Sequence, residues 1–396
     1  MRRHDVAMPD RRTLLFSTFE PSGDALAAPL IASLLRQRSD LKIHALGGDK
    51  MRAAGANLIE ATAHRGSMFL DTLAQVRSHR ARLRRLRSWL RTNPIDALVP
   101  VDSPAGNWSI CALVRRLQPR ARIVHLVAPQ LWAWAPWRVR RLRRLTDSVL
   151  CLLPFEPDWF ARRGVKAQFV GHPAFEPTPV QAGTAAATDL PPDPPRLALL
   201  PGSRTGEIKR NWPTMLEAFV RLRSIHEDLS GVVAVADERS AQLLRSVTAR
   251  HKRVPHSPQG LMVVEGQTNV VLDWCDLALA ASGTICLQLT ARHKPMVAMY
   301  NMNWLTIFAM GWMVRTSTFT LPNLVSQWSG HGRAVPELVP HFGAVTPVVR
   351  QLLPLMDNGP DAELQRQALG RIVACFATQR FSQIAPKRLI EVALEG

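Results

Sequence analysis

LALLPGSRTGEIKRN, residues 197–211, reads as a strand, a tight loop and the start of a helix in direct succession. Leu197, Ala198, Leu199 and Leu200 form a short apolar run and Pro201-Gly202-Ser203 a sharp turn. From Glu207 to Leu222 the apolar residues Met215, Phe219 and Leu222 recur at helical spacing. In an open parallel sheet such a loop lies outside the carboxyl end of its strand, where ligands bind. The helix start offers N–H groups and positive dipole to an anion, and Arg204 adds a planar fork suited to phosphate. Taken alone, the window fits an ordinary strand-to-helix turn with a surface arginine equally well.

The same alternation runs outward in both directions. Toward the amino terminus, Thr13–Phe19, Lys42–Leu46, Ile95–Val101, Ile123–Val127 and Val149–Leu153 read as strands with helical stretches between most of them. Toward the carboxyl terminus, Gly231–Ala236, Leu261–Val264, Asp276–Ala281 and Met296–Tyr300 follow Leu197–Leu200. Between Pro173 and Pro195 the composition shifts to Pro, Ala, Thr and Asp, the mark of a linker. The expected architecture is α/β, with two doubly wound, Rossmann-like domains facing one another across a cleft. Residues 1–176 form the first domain, 177–195 the Pro-rich linker, 196–378 the second domain and 379–396 a terminal helix. A chain of 396 residues is long enough for two such cores.

Hydrophobic residues at 46% and charged residues at 20% describe a folded globular protein. A net charge of +19 calls for an anionic partner: nucleic acid, anionic lipid or a phosphorylated substrate. Cys111, Cys151, Cys275, Cys286 and Cys375 form no CxxC pair and lie in or beside apolar runs, so buried thiols are expected rather than a disulfide framework or zinc site. The basic amino terminus lacks a signal-peptide apolar region, which places the chain in the cytoplasm. Met296–Val314 is uncharged, but Pro295, Asn301 and Asn303 favour a buried strand followed by an apolar helix over a membrane span.

A second turn belongs with the first. Ser282-Gly283-Thr284 follows a strand and precedes the helix Ile285–Ala291, so backbone N–H groups and two hydroxyls converge at a helix start. Helix capping explains Ser and Thr as well. Paired with Gly202, Ser203 and Arg204, the turn makes a credible diphosphate cradle. In the first half Asp102 ends a strand where a carboxylate would serve as general base on a hydroxyl, or simply cap the next helix. His125 and His172 end strands with the same ambiguity. Arg80, Arg84, Arg87 and Arg91 lie on one amphipathic helix, and Arg138, Arg140, Arg141, Arg143 and Arg144 on another. Such helices commonly present just a solvated face; the alternative is that these arginines, helped by Met68, Phe69 and Leu70, dock on an anionic membrane.

Taken together in order, the blocks EPSGD (20–24), PQLWAW (129–134), LPFE (153–156), FVGHP (169–173), LLPGSR (199–204), ASGT (281–284) and LPNL (321–324) resemble the signature of the lipid-A-disaccharide synthase family through nearly the whole chain. The resemblance implies a GT-B fold, with an acceptor domain first, a sugar-nucleotide domain second and a terminal helix that returns to the first. It implies an inverting, metal-independent and cofactor-free transfer of 2,3-diacylglucosamine from UDP to 2,3-diacylglucosamine 1-phosphate at the inner membrane surface. Glu20, Ser22, Gly23, Asp24, Asn107, Gln130 and Trp132 would then face the acceptor, Gln288 the ribose, and Asn323 and Glu337 would complete the site. Departures from the family pattern are Ala105 in place of a second acid, Gln288 in place of a glutamate, Pro340 in place of a glutamine, and a blurred segment at Gly66–Leu73. They leave donor and acceptor preference open. The rival expectation is a non-catalytic binder of nucleic acid or anionic lipid on the same fold. It accounts for the charge and not for the two turns.

Overall fold

The computed structural model describes residues 11–63, 72–176, 190–251, 253–255, 257–303, 313–356 and 359–395, with backbone alone at 72–76. The chain divides into one compact unit of Met1–Glu176 with Thr378–Gly396 and a second of Pro177–Ala377. Most of the expected linker, 177–189, lies outside the described residues, as do Met68–Leu70 and most of the apolar segment that follows Asn303.

The first unit runs β1 (Arg12–Ser17), α1 (Pro21–Gln37), β2 (Leu41–Gly47), α2 (Asp49–Ala53), β3 (Asn57–Ala61), α3 (Thr72–Thr92) and β4 (Ala97–Pro100). It continues through α4 (Pro104–Leu117), β5 (Arg122–Leu126), α5 (Val139–Leu145), β6 (Ser148–Cys151), α6 (Glu156–Ala161) and β7 (Ala167–Phe169). Its seven strands lie in the order β3-β2-β1-β4-β5-β6-β7, all parallel in their pairings.

The second unit runs β8 (Arg196–Leu200), α7 (Thr205–Arg223), β9 (Ser230–Val235), α8 (Glu238–Ala249), β10 (Leu261–Glu265), α9 (Thr268–Trp274), β11 (Leu277–Ala281), α10 (Thr284–Ala291) and β12 (Met296–Asn301). α11 (Leu321–Trp328), β13 (Glu337–His341), α12 (Val345–Met356) and α13 (Pro360–Ala374) complete it, and α14 (Phe381–Ile390) follows in the first unit. Its parallel sheet has the order β10-β9-β8-β11-β12-β13.

Each sheet is doubly wound, and each reverses its winding beside its first strand, between β1 and β4 and between β8 and β11. That switch point is where an open α/β sheet leaves a crevice for a ligand. The central strands are largely apolar because helices cover both their faces: β4, β6 and β11 are buried along their whole length. Against the second sheet, α7 buries Ile208, Trp212, Met215, Phe219 and Leu222 on one face. α14 adds Phe381, Ala385 and Leu389 to the core of the first unit, beside Leu30, Ile31 and Leu34 of α1.

Three strands go beyond the sequence reading. β3, β7 and β13 have mostly half-buried residues, so no apolar run marks them, and all three sit at sheet edges. Of the expected strands that end early, two do so where the backbone turns left-handed. β4 stops at Pro100 because Asp102 and Ser103 take left-handed backbone, with φ of 50° and 40°, and β5 stops at Leu126 because Val127 has φ 67°. The expected strand at Met296 runs to Asn301. Among the described residues no helix is long and apolar enough to cross a membrane. Burial pushes the thiols of Cys111 and Cys275 up to about 12 and that of Cys286 up to about 11, which makes them inert apolar fillers.

Candidate functional site

In the second unit both phosphate-type turns fall at the β8/β11 switch point, as the carboxyl ends of adjacent strands. The first is pinned by residues whose role the sequence did not disclose. Buried Asn211 on α7 donates through Nδ2 to Pro201 O at 3.1 Å, and its Oδ1 accepts from Asn301 N at 2.8 Å. Asn301 Nδ2 donates in turn to Arg210 O and Thr214 Oγ1, both at 2.8 Å. The only sequence signal was a pair of asparagines in apolar surroundings. A buried amide there must be fully bonded, so it fixes backbone.

Gly202 has φ 109°, and a Cβ there would lie 2.5 Å from Glu207 Oε2, so this glycine is required by the turn itself. The Glu207 carboxylate accepts from Ser203 N at 3.1 Å and Arg204 N at 3.2 Å, and it lies 3.4 Å from Arg204 Nη1. An internal carboxylate thus occupies the place expected for an external anion, and any phosphate must share or displace it. The Arg204 side chain remains half exposed.

The second turn is different. Gly283 precedes α10 with extended backbone, and a Cβ built on it meets no atom within 4 Å. Neither conformation nor packing demands glycine here. Thr284 is exposed and Gln288, one helical turn on, is half-buried on the same face. Ser282 departs from expectation: its hydroxyl donates to Phe319 O at 3.3 Å and its N–H to Met299 O at 3.0 Å, so its one hydroxyl proton is directed into the protein.

Asn323 and Glu337, expected to complete the site, brace that same Phe319 segment. Glu337 accepts from Phe319 N (2.8 Å), Thr320 N (3.0 Å), Thr320 Oγ1 (2.6 Å) and Asn323 Nδ2 (3.0 Å). Asn323, fully buried, accepts from Ala334 N and Val335 N at 2.8 and 2.9 Å. Their polar atoms hold backbone, and the Ser282 turn leans on the loop they shape.

In the first unit the β1/β4 switch point carries Thr18–Glu20 on one side and Asp102 on the other. Asp102 is half-buried, between β4 and the Pro-led start of α4. Its left-handed backbone is clamped by Asn107, whose Nδ2 donates to Val101 O at 3.1 Å and Asp102 O at 2.8 Å. Ser17 Oγ on β1 donates to Asn107 Oδ1 at 2.8 Å, which fixes the amide's orientation. Asn107 therefore positions the aspartate loop from beneath. Asp102, Ser103, Val127 and Ala135 are four of the five non-glycine residues with positive φ among the described residues. All four lie on the loops after β4 and β5, and such concentrated strain marks a working edge.

Several other candidates prove to be braces. His125 is fully buried and held neutral, its pKa lowered to about 4 by burial, and its Nδ1 donates to Val127 O at 3.0 Å. His172, likewise lowered to about 4 by burial, accepts from Ala174 N at 3.0 Å. Asp24 accepts from Gly48 N, Lys50 N and Met51 N at 2.8 to 3.1 Å and caps α2. A Cβ on Gly23 would collide with Thr18. Glu20 takes the N-cap position of α1, and Ser22 and Gln130 are exposed.

Trp132 introduces an acid that the sequence reading left as part of a motif only. Its Nε1 donates to Glu156 Oε1 at 3.1 Å and its ring stands edge-on to Phe155 at 5.1 Å, while Glu156 Oε2 accepts from Leu153 N at 3.1 Å. Burial raises the Glu156 carboxyl from 4.5 to about 8. A raised folded-state pKa means the folded chain holds a proton that the unfolded chain releases above about pH 4.5, so stability falls as pH rises from there to about 8. The Glu156→Gln variant should lose this component, about 1.4 kcal/mol per pH unit across that window. Urea denaturation of both proteins at pH 5 and pH 8 checks it, and an unchanged pH dependence would show that Glu156 is ionised when folded.

The family described as lipid-A-disaccharide synthetase matches residues 14–373. The lipid-A-disaccharide synthase of Azotobacter vinelandii is 34% identical over 374 residues, covering 92% of this chain and 94% of its own. That of Cupriavidus pinatubonensis is 33% identical over 88% of this chain and 86% of its own, and that of Anaeromyxobacter dehalogenans 32% over 96% of both. Among solved structures, a UDP co-structure of S. aureus MnaA aligns with a TM-score of 0.66 at 13% identity, over 96% of this chain and 95% of that one. The glycosyltransferase of kitacinnamycin aligns at 0.60 and 14%, over 96% and 100%. At these identities the structural likeness speaks for the fold, a GT-B-type pair of parallel-sheet domains.

Proposed function

Since this chain belongs to the lipid-A-disaccharide synthetase family, whose members are glycosyltransferases, we propose that it joins 2,3-diacylglucosamine from a UDP-linked donor to 2,3-diacylglucosamine 1-phosphate. The products are the β-1,6-linked lipid A disaccharide 1-phosphate and UDP. The observation that carries the reading at the site is Gly283, a glycine at a helix start that the fold does not need, facing open space beside the Gly202 turn. A diphosphate explains it: without a Cβ, the backbone N–H groups at this helix start can approach phosphate oxygens.

In this reading Asp102 takes the proton of the acceptor hydroxyl as its oxygen attacks the anomeric carbon from the face opposite UDP, which inverts the configuration. Charge growing on the departing UDP is neutralised by Arg204, the helix starts at Thr205 and Thr284, and the Gly202–Ser203 and Gly283 backbone. Gln288 meets the ribose. No cofactor or resident metal has a part, and UDP-sugar is a substrate. Incubating the purified chain with both lipid substrates in EDTA and looking for disaccharide tests the proposal, and no product with or without added divalent cation would refute it. If Gln288 meets the ribose, Gln288→Glu should tighten UDP binding severalfold by calorimetry, since a charged acceptor bonds hydroxyls more strongly.

The acyl chains place both substrates in a bilayer. On α3, Arg80, Arg84, Arg87 and Arg91 are all exposed and fall at i, i+4, i+7 and i+11, one stripe along the helix. Each is worth about 1 kcal/mol at an anionic surface, within a Debye length. Co-sedimentation with phosphatidylglycerol vesicles should therefore weaken as salt rises and drop when the four become glutamine. Retention at high salt would place the attachment elsewhere. The nucleic-acid rival has no support in the family match, which spans nearly the whole chain.

A further inference from the structure

Trp137, Arg138, Arg140, Arg141, Arg143 and Arg144 line one groove of about 520 Å³ on the first unit. Among the described residues none of these five arginines makes an ion pair, whereas nearby Arg115 meets Asp147 at 2.6 Å. The buried face of α5 is Val139, Leu142 and Leu145, so the helix would hold without this concentration of charge. Arg138 is not a freely solvated side chain. Its guanidinium lies 4.5 Å from the Trp108 ring centre and 4.8 Å from that of Trp134, and Arg141 lies 5.2 Å from Trp108. Trp108 is itself buried.

Stacking satisfies the two faces of a guanidinium and leaves its in-plane N–H donors unspent. Burial and neighbouring Arg141 depress the pKa of Arg138, the mark of a cation held at a cost with no counter-charge beside it. Such an arrangement is stable on its own only weakly and becomes favourable when a multiply charged oxyanion enters. The groove follows directly from the β5 loop, and β5 neighbours the Asp102 loop: Asp102 N donates to Leu126 O at 3.0 Å.

We propose that the α5 groove is the site for the phosphomonoester of the acceptor, with Arg138 and Arg141 as its two contacting forks. The inference rests on the acceptor assigned above, and the donor's diphosphate has its own turns in the second unit. A dianionic monoester matches two planar forks better than the single charge of a bilayer phosphodiester.

The test compares 2,3-diacylglucosamine 1-phosphate with the same acceptor lacking its phosphate, in wild type, Arg138→Gln, Arg141→Gln and Arg138→Lys. Loss of a charge-assisted fork should raise KM for the phosphorylated acceptor about tenfold or more, with kcat and the KM of the dephosphorylated acceptor unchanged and the lysine variant in between. Equal KM rises for both acceptors, with lost sedimentation on phosphatidylglycerol vesicles, would make the groove a bilayer contact and overturn the proposal. Unchanged KM for both would return it to a solvated face. If Arg138→Gln loses its thermal transition, Arg141→Gln carries the comparison. A second measurement separates this inference from the function it rests on. The Nε–H resonances of Arg138 and Arg141, assigned by their disappearance in Arg138→Lys and Arg141→Gln, should shift with glucosamine 1-phosphate and not with glucosamine. If they do so in a chain that makes no disaccharide, the function falls and the groove stands; if they do not shift, the groove proposal falls.

Discussion

Asp102→Asn should lower turnover by roughly 10²–10⁴, the range typical of losing a general base, while UDP affinity and thermal stability stay near wild type. The local structure makes the substitution a clean one. Asp102 sits at φ 50°, a conformation asparagine tolerates as readily as aspartate. Asn107 holds the loop through the backbone carbonyls of Val101 and Asp102, and that hold is the same with asparagine at position 102. What disappears is the ability to accept a proton as the acceptor oxygen attacks. UDP affinity should be insensitive, because the turns assigned to the diphosphate belong to the second unit. Steady-state kcat with saturating substrates, alongside UDP calorimetry, makes the measurement, and near-normal turnover would reduce Asp102 to a turn residue. Asn107→Ala should behave differently. Freeing the buried Val101 carbonyl and the part-buried Asp102 carbonyl costs stability as well as rate, and that joint loss distinguishes positioning from chemistry.

The core of each sheet was legible because it is written in apolar runs. Leu197–Leu200 and Ala278–Ala281 are buried on both faces, and a strand so placed has nowhere to put a polar side chain. β3, β7 and β13 escaped for the converse reason, as edge strands with half-exposed residues such as Glu60 and Gln168. The two turns at the β8/β11 switch point were legible through glycine and helix-start chemistry, and their support was not. Asn211 and Asn301 meet across 90 residues of sequence, and no local pattern announces such a pair. The bracing role of the polar candidates was equally hidden. Asp24, Asn323 and Glu337 are polar residues at the right ends of the right elements, but sequence shows only the side-chain type. Which backbone N–H groups are left without a partner, and so which carboxylate or amide must serve them, is settled by tertiary structure. Val127 shows the limit plainly: a β-branched residue in left-handed backbone, kept there by His125 and Leu150, contradicts its own propensity.

The two glycines of the proposed cradle should respond in opposite ways to substitution, and the contrast isolates what each is for. Gly202→Ala places a methyl group against Glu207 in backbone that L residues avoid, so it should destabilise the fold by about 1–3 kcal/mol. Gly283→Asp meets no such obstacle. The backbone there is extended, the added atoms enter open space, and aspartate is a better N-cap than glycine with its charge at the favourable end of the helix dipole. Thermal stability should hold or rise. The same carboxylate, however, would project where the diphosphate is expected, and like charges about 4 Å apart near a protein surface repel by some 4 kcal/mol. UDP affinity should therefore fall by about 10² or more, a loss that no unfolding accounts for. Calorimetric titration of UDP beside thermal denaturation reads both quantities. If Gly283→Asp binds UDP as wild type does, the space beyond Gly283 holds no phosphate, and the diphosphate must be sought at the Gly202 turn alone.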